Sequence, residues 1–146
     1  MKNVRDILNS KPSGMTHSVP PGAMVIDALR LMSEKMVGAL LVVDDGKPVG
    51  IFSERDYARK IALLDRSSRN TEVRQVMTAD LIYASPTDTM ESCMELMTDK
   101  RIRHLPVMED GQLVGLISIG DLVKNIIEDQ KAMILQLEQY VRGETY

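Results

Sequence analysis

The sequence predicts an α+β fold, α/β in the order of its elements, built from two β-α-β-β-α repeats packed as a pseudo-twofold unit. Three observations carry that expectation. The chain matches itself at an offset of 65 residues, each copy holds an amphipathic stripe followed by two short apolar runs, and each pair of runs is joined through Asp-Gly. Pro21 falls on Pro86, Leu31-Met32 on Leu96-Met97, Lys35 on Lys100, Leu40 on Leu105, Val42 on Val107 and Asp45-Gly46 on Asp110-Gly111. With Val49-Gly50 on Val114-Gly115, Ser53 on Ser118 and Asp56 on Asp121, there are 12 identities between residues 21–56 and 86–121. A shorter match of Val4–Leu8 with Val73–Met77 lies at an offset of 69 rather than 65, which puts a four-residue insertion within Asn9–His17.

Each element has its own signal. Ser18-Val19 and Leu81–Ala84 are short extended stretches that open the copies. Val25, Ala28, Leu29, Met32 and Met36 recur at three-and-four spacing, as do Met90, Cys93, Met94 and Met97, so each copy has one helix with an apolar face. The runs Ala39–Val43 and His104–Met108 read as strands, and Pro48–Phe52 and Leu113–Ile117 as their partners. Asp-Gly between such runs predicts a tight hairpin, because the turn needs positive φ values that these residues tolerate. A helix follows each second strand. Asp65–Asn70 is the linker, dividing the chain into repeat one, residues 1–70, and repeat two, residues 71–146, with a C-terminal helix extension. One such repeat would leave an apolar sheet face uncovered, so the two should pack together. From Leu122 to Val141 no Gly or Pro interrupts a stripe through Val123, Ile126, Ile127, Met133, Ile134, Leu137 and Tyr140. A helix of about 20 residues spans on the order of 30 Å, which outruns so small a fold and predicts a homodimer contact.

Composition sets the boundaries. A chain of 146 residues, 44% hydrophobic, 27% charged and with a net charge of -3, has the profile of an ordinary soluble domain or two very small ones. A single cysteine, Cys93, excludes an internal disulfide and fits a reducing compartment. The apolar runs fall far short of the roughly 20 residues that cross a bilayer, and the N-terminus has no apolar core of a secretory signal. The expectation is therefore a cytoplasmic protein without a membrane partner. Slight acidity and five scattered aromatics argue against a nucleic-acid partner. The eleven methionines fall mostly on helix stripes as core filler.

The candidate chemistry sits where the second strand of each copy meets the next helix. Ser53-Glu54-Arg55-Asp56 and Ser118-Ile119-Gly120-Asp121 place a hydroxyl and a carboxylate at a helix start. The unpaired N–H groups and positive dipole end there suit a phosphate, and an ionised Asp accepts hydrogen bonds from the 2′ and 3′ hydroxyls of a ribose. The same spacing equally describes a capping box, and Ser85-Pro86-Thr87-Asp88, which needs only the capping explanation, repeats it. The copies differ just before their first long strand: Arg101, Arg103 and His104 lie where copy one has Met36, Gly38 and Ala39. Small residues make room for a base or ribose, whereas Arg and His hold phosphate oxygens. Arg55 and Arg59 add charge near the first motif, and Glu54 would repel a phosphate there. His104 reads equally as a structural histidine.

Gly38–Gly46 with Val49–Asp56, and Arg103–Val107 with Val114–Asp121, closely resemble the diagnostic stretches of a pair of cystathionine-β-synthase (CBS) domains. The resemblance covers nearly the whole chain and implies a stand-alone regulatory, signal-transducing module, a tandem CBS-domain pair. Its clefts between the repeats would hold an adenosine nucleotide (AMP, ADP, ATP or NAD) or S-adenosylmethionine, and no metal. Carried over residue by residue, the resemblance assigns Thr16, Ser18, Pro106 and Ile117 to the ligand set beside the residues above. It implies that Gly38 and Ala39 share a cleft with Ser118 and Asp121, and that Tyr83, Arg103 and His104 line clefts at the junction. Copy one has Leu41 where copy two has the family's Pro106. Gly120 permits close backbone approach, so the Asp121 cleft is expected to be the stronger. An unidentified effector protein would read the bound state. Two other readings stay open: a structural dimerisation module with empty clefts, and an enzyme. For the last, the sequence offers only His17 and His104, with no metal-ligand cluster or nucleophile paired to a base.

Overall fold

The computed structural model describes residues 2–11 and 17–143. Repeat one contains α1 (Val4–Ser10), β1 (Ser18–Val19), α2 (Val25–Lys35), β2 (Ala39–Asp44), β3 (Lys47–Ser53) and α3 (Glu54–Tyr57), which runs on into a π-helical turn, Ala58–Ala62. Repeat two opens with a 3-10 turn, Val73–Gln75, followed by α4 (Met90–Lys100), β4 (His104–Glu109), β5 (Gln112–Ser118) and α5 (Ile119–Val141). The fold is α+β, as predicted.

Both hairpins close as their Asp-Gly pairs require. Asp45 and Gly46 have φ of 51° and 77°, Asp110 and Gly111 of 52° and 76°, so two successive residues with positive φ reverse each chain. β2 pairs antiparallel with β3 in the register Ala39↔Ser53, and β4 with β5 in the register His104↔Ser118. The opening strands differ. β1 runs parallel to β2, and the Leu41 N–H donates to the His17 carbonyl at 3.2 Å. The stretch Leu81–Ala84, expected as the equivalent strand, makes only the single bridge Ala84↔Val107. Pro106 stands at the position aligned with Leu41, and a proline has no N–H to donate to a ladder.

The cores cross the repeat order. Val4 and Ile7 of α1 are buried with Met90, Cys93, Met97, Leu105, Ile117 and Leu122 of repeat two. Val73 and Val76 are buried with Val25, Ala28, Met32, Leu40, Phe52 and Ile61 of repeat one. Matching backbone bonds hold both segments: Val4 N–H to the Asp88 carbonyl at 2.9 Å, and Val73 N–H to the Ala23 carbonyl at 2.8 Å. The approach is close enough that any larger residue at the facing glycines would force a neighbour to shift. A Cβ on Gly115 would lie 2.7 Å from Leu8, and one on Gly50 2.5 Å from the Met77 sulfur and 3.0 Å from the Thr78 carbonyl oxygen. Leu8 and Met77 are equivalent in the 69-residue match, so the duplication preserves this contact. The thiol of Cys93 is pushed up from its ordinary pKa by burial and by the nearby Asp88 charge, which keeps it protonated. No helix among the described residues is long and apolar enough to cross a membrane.

Candidate functional site

The strand registers decide which residues meet. Because Ala39 lies opposite Ser53, the residues before β2 and after β3 are side by side, and the Glu54 N–H donates to the Gly38 carbonyl at 3.1 Å. The equivalent bond joins the Ile119 N–H to the Arg103 carbonyl at 2.9 Å. Gly38 therefore belongs with Ser53 and Asp56, not with Ser118 and Asp121 as the family resemblance implied.

Both Ser-x-x-Asp motifs are capping boxes. The Ser53 and Ser118 side chains accept from the N–H of Asp56 and Asp121, and each carboxylate accepts in return from its serine's N–H. Beyond this shared geometry they differ. Asp56 is 7% exposed. One of its oxygens takes both the N–H and the hydroxyl of Ser53, and the other takes the Thr78 hydroxyl at 3.1 Å and the Lys60 ammonium at 3.1 Å. Asp121 is half-buried and meets the Lys11 ammonium at 3.0 Å, which also donates to the Leu116 carbonyl at 2.8 Å. The segment Ser85–Asp88 departs from both: Ser85 N–H donates to Asp88 in a turn, and Thr89 caps α4.

A cleft of about 460 Å³ opens at the first motif, between the repeats. Repeat one contributes Gly38, Ile51, Ser53, Glu54, Arg55, Asp56, Arg59 and Lys60, and repeat two contributes Arg101, Ile102, Arg103, His104 and Pro106. The segment between them adds Thr78, Asp80, Leu81 and Ile82. Five Arg and Lys side chains here face three carboxylates, in a chain whose net charge is -3. The π-helical turn after α3 brings Arg59 and Lys60 to the cleft, and such turns recur at functional positions in helices. His104 is held below its usual pKa, first by burial and then by the positive charges of Lys11 and Arg103, against the opposing pull of Asp121. It is therefore neutral near pH 7.

The structure thus gathers Gly38, Ser53, Arg55, Asp56, Arg101, Arg103, His104 and Pro106 at one cleft. Gly120 lies apart, in a shallower depression with Arg103, Ile119, Val123 and Lys124. Ser118 and Asp121 line neither, and the cleft forms at the motif expected to be the weaker. Ile117 is fully buried, because side chains alternate along β5 and that of Ile117 points to the core. Ala39 is buried at the start of β2, while Ser18 and Tyr83 are exposed away from the cleft lining. Thr16 lies outside the described residues. The sequence reading missed Lys60, Thr78 and Asp80. Lys60 had a signal, its position four residues after Asp56 on a helix; Thr78 and Asp80 fall in a connecting segment outside the 65-residue match. Among the described residues no group of three or more His, Cys, Asp or Glu could hold a metal.

A family model described as CBS domain matches residues 4–63 and again residues 73–128. The mitochondrial CBS domain-containing protein CBSX3 of Arabidopsis thaliana is 41% identical over 124 residues, covering 82% of this chain and 60% of that protein. The chain thus spans less than two thirds of that relative's length. A solved structure of a protein with CBS domains from Burkholderia ambifaria is 50% identical, with a TM-score of 0.85, covering 88% of this chain and 96% of that one. The CBS domain pair of protein MJ0100, solved with 5′-methylthioadenosine and S-adenosylmethionine, has a TM-score of 0.76 at 24% identity and covers 88% of this chain and 98% of that one.

Proposed function

Since the chain belongs to the CBS-domain family, we propose that it is a cytoplasmic regulatory module that binds an adenosine nucleotide, AMP, ADP, ATP or NAD, between its repeats and passes the bound state to a partner protein. The observation that carries this reading is the cationic cleft itself, where a Ser-x-x-Asp helix start from one repeat faces Arg101, Arg103 and His104 from the other. Ile51, Leu81, Ile82, Ile102 and Pro106 offer apolar surface for a base. A ligand touching both repeats stabilises one relative orientation over another, and only such a difference in affinity shifts a conformational equilibrium. The fold is compatible with adenosine compounds, as in the MJ0100 pair. The hydroxyls in the cleft, Ser53 and Thr78, donate to Asp56, which also caps α3 and pairs with Lys60, an arrangement that suits a structural anchor better than an activated nucleophile.

A structural role without ligand is favoured by one specific observation: both oxygens of Asp56 are already taken, so a ribose would have to displace Thr78 or Lys60. Melting curves with millimolar AMP, ADP, ATP, NAD and S-adenosylmethionine separate the readings. A ligand at a hundredfold excess over its Kd adds about 2.7 kcal/mol, which raises Tm by roughly 5 to 10 °C for a chain of this size. No shift with any of them favours the structural role.

The same reading includes a homodimer through α5. Its C-terminal half carries Met133, Ile134, Leu137, Tyr140 and Val141 at 55% exposure or more. Val123, Ile127, Ile134, Leu137 and Val141 follow the four-and-three spacing of a coiled-coil seam, with Gln130 filling the gap, which suits pairing with a second α5.

A further inference from the structure

The cations of the cleft divide into held and unheld. Lys60 is held by Asp56 and by the Val76 carbonyl at 3.0 Å. The guanidinium groups of Arg55, Arg59, Arg101 and Arg103 make no hydrogen bond or ion pair among the described residues. Arg55 and Arg59 come from repeat one, on and just after α3, whereas Arg101 and Arg103 come from the opposite wall, in the turn between α4 and β4. Four like charges around one cleft repel one another, and they outnumber Glu54 and Asp80, the carboxylates that line it besides the Lys60-paired Asp56. An anion relieves it, and Arg is the side chain best shaped to grip phosphate oxygens in pairs.

A single phosphate is compact and satisfies one wall. A chain of phosphates spreads its charged oxygens along a line and serves both. We infer that this cleft takes an anion of two or more linked phosphates, with Arg55 and Arg59 holding it from repeat one and Arg101 and Arg103 from repeat two. The pseudo-twofold relation supplies a control: the positions equivalent to Arg55, Arg59, Arg101 and Arg103 are Gly120, Lys124, Met36 and Gly38. One cation there replaces four, so the preference belongs to one side of the molecule. Resting on the nucleotide reading above, the inference means ADP and ATP over AMP, and rejection of the cationic sulfonium of S-adenosylmethionine.

The test is calorimetric titration of the full chain without magnesium, using AMP, ADP, ATP and inorganic tripolyphosphate. Affinity is expected to rise from AMP to ATP by about tenfold or more, the worth of one added charge-assisted hydrogen bond, and the preference to weaken with salt. Arg59→Gln with Arg101→Gln, both at exposed positions, should bring the ATP-to-AMP ratio close to one with circular dichroism unchanged. AMP binding as tightly as ATP overturns the inference and leaves the nucleotide reading standing. Tripolyphosphate binding with no nucleotide binding supports the inference and overturns that reading. No binding by any of the four overturns both. A ratio that survives the double substitution overturns the assignment to these arginines.

Discussion

His104 shows how one side chain reports on both halves of the site. It lines the cleft, yet the charges acting on it include Lys11 and Asp121 from the other motif. Its pKa is lowered in the folded protein, chiefly by burial, from an ordinary value of 6.5. As pH falls through that value, the unfolded chain takes up a proton at this position before the folded chain does. Stability must therefore fall with pH in the window below about 6.5, because the unfolded state binds more protons there. Urea denaturation at pH 7.5 and 5.5 should show a smaller loss for His104→Gln than for the native chain, and equal losses would count against this account. Asp56 and Asp121 teach a related lesson. Their motifs look alike in sequence, and both capping boxes were legible from spacing alone. What separates them, Thr78 and Lys60 on one and Lys11 on the other, comes from residues outside the Ser-x-x-Asp pattern and depends on the folded path of the chain.

At the level of elements, the hairpins and long helices were readable because Asp-Gly turns and three-and-four spacing are local signals. The lost strand at Leu81–Ala84 was not, since its absence follows from a missing N–H on Pro106, a residue more than twenty positions later. The pairing of Gly38 with Ser53 was implicit in the hairpin register once the strand ends were known, but the family analogy pointed elsewhere. α5 matched its expected stripe and extended it to 23 residues, with one difference that matters for testing. Ile126 is packed against the core of repeat two, whereas Ile134 and Leu137 are exposed. Replacing Ile126 would damage the fold, so the interface is better probed at the other two. Ile134→Lys with Leu137→Lys should convert a dimer to a monomer in sedimentation at high micromolar concentration, with little change in the melting of each subunit. A native chain that already sediments as a monomer, or a double variant that stays dimeric, excludes the seam.

The whole molecule is bound together by its exchanged segments more than by contact between finished repeats. Sequence order divides the chain near residue 70, and the duplication makes each half look self-sufficient. The packing differs from that order: α1 completes the core around Leu105 and Ile117, and the Val73–Gln75 turn completes the core around Leu40 and Phe52. Neither half alone can fill its own core, so damage in one segment should be felt as instability of the other repeat. Ile7 is fully buried, and Ile7→Ala should cost about 2 to 5 kcal/mol through lost burial and the cavity left behind. Because a ligand between the repeats can act on orientation only if both cores hold while it does so, this linkage also bears on function. Unfolding should then be one cooperative transition, the same by far-UV circular dichroism and by Tyr fluorescence, and Ile7→Ala should shift it as a unit. Separate fragments 1–70 and 71–146 should be unfolded alone and regain structure when mixed. A variant showing two transitions, or a fragment that folds by itself, would mean that the repeats are independent and that the exchanged segments merely decorate them.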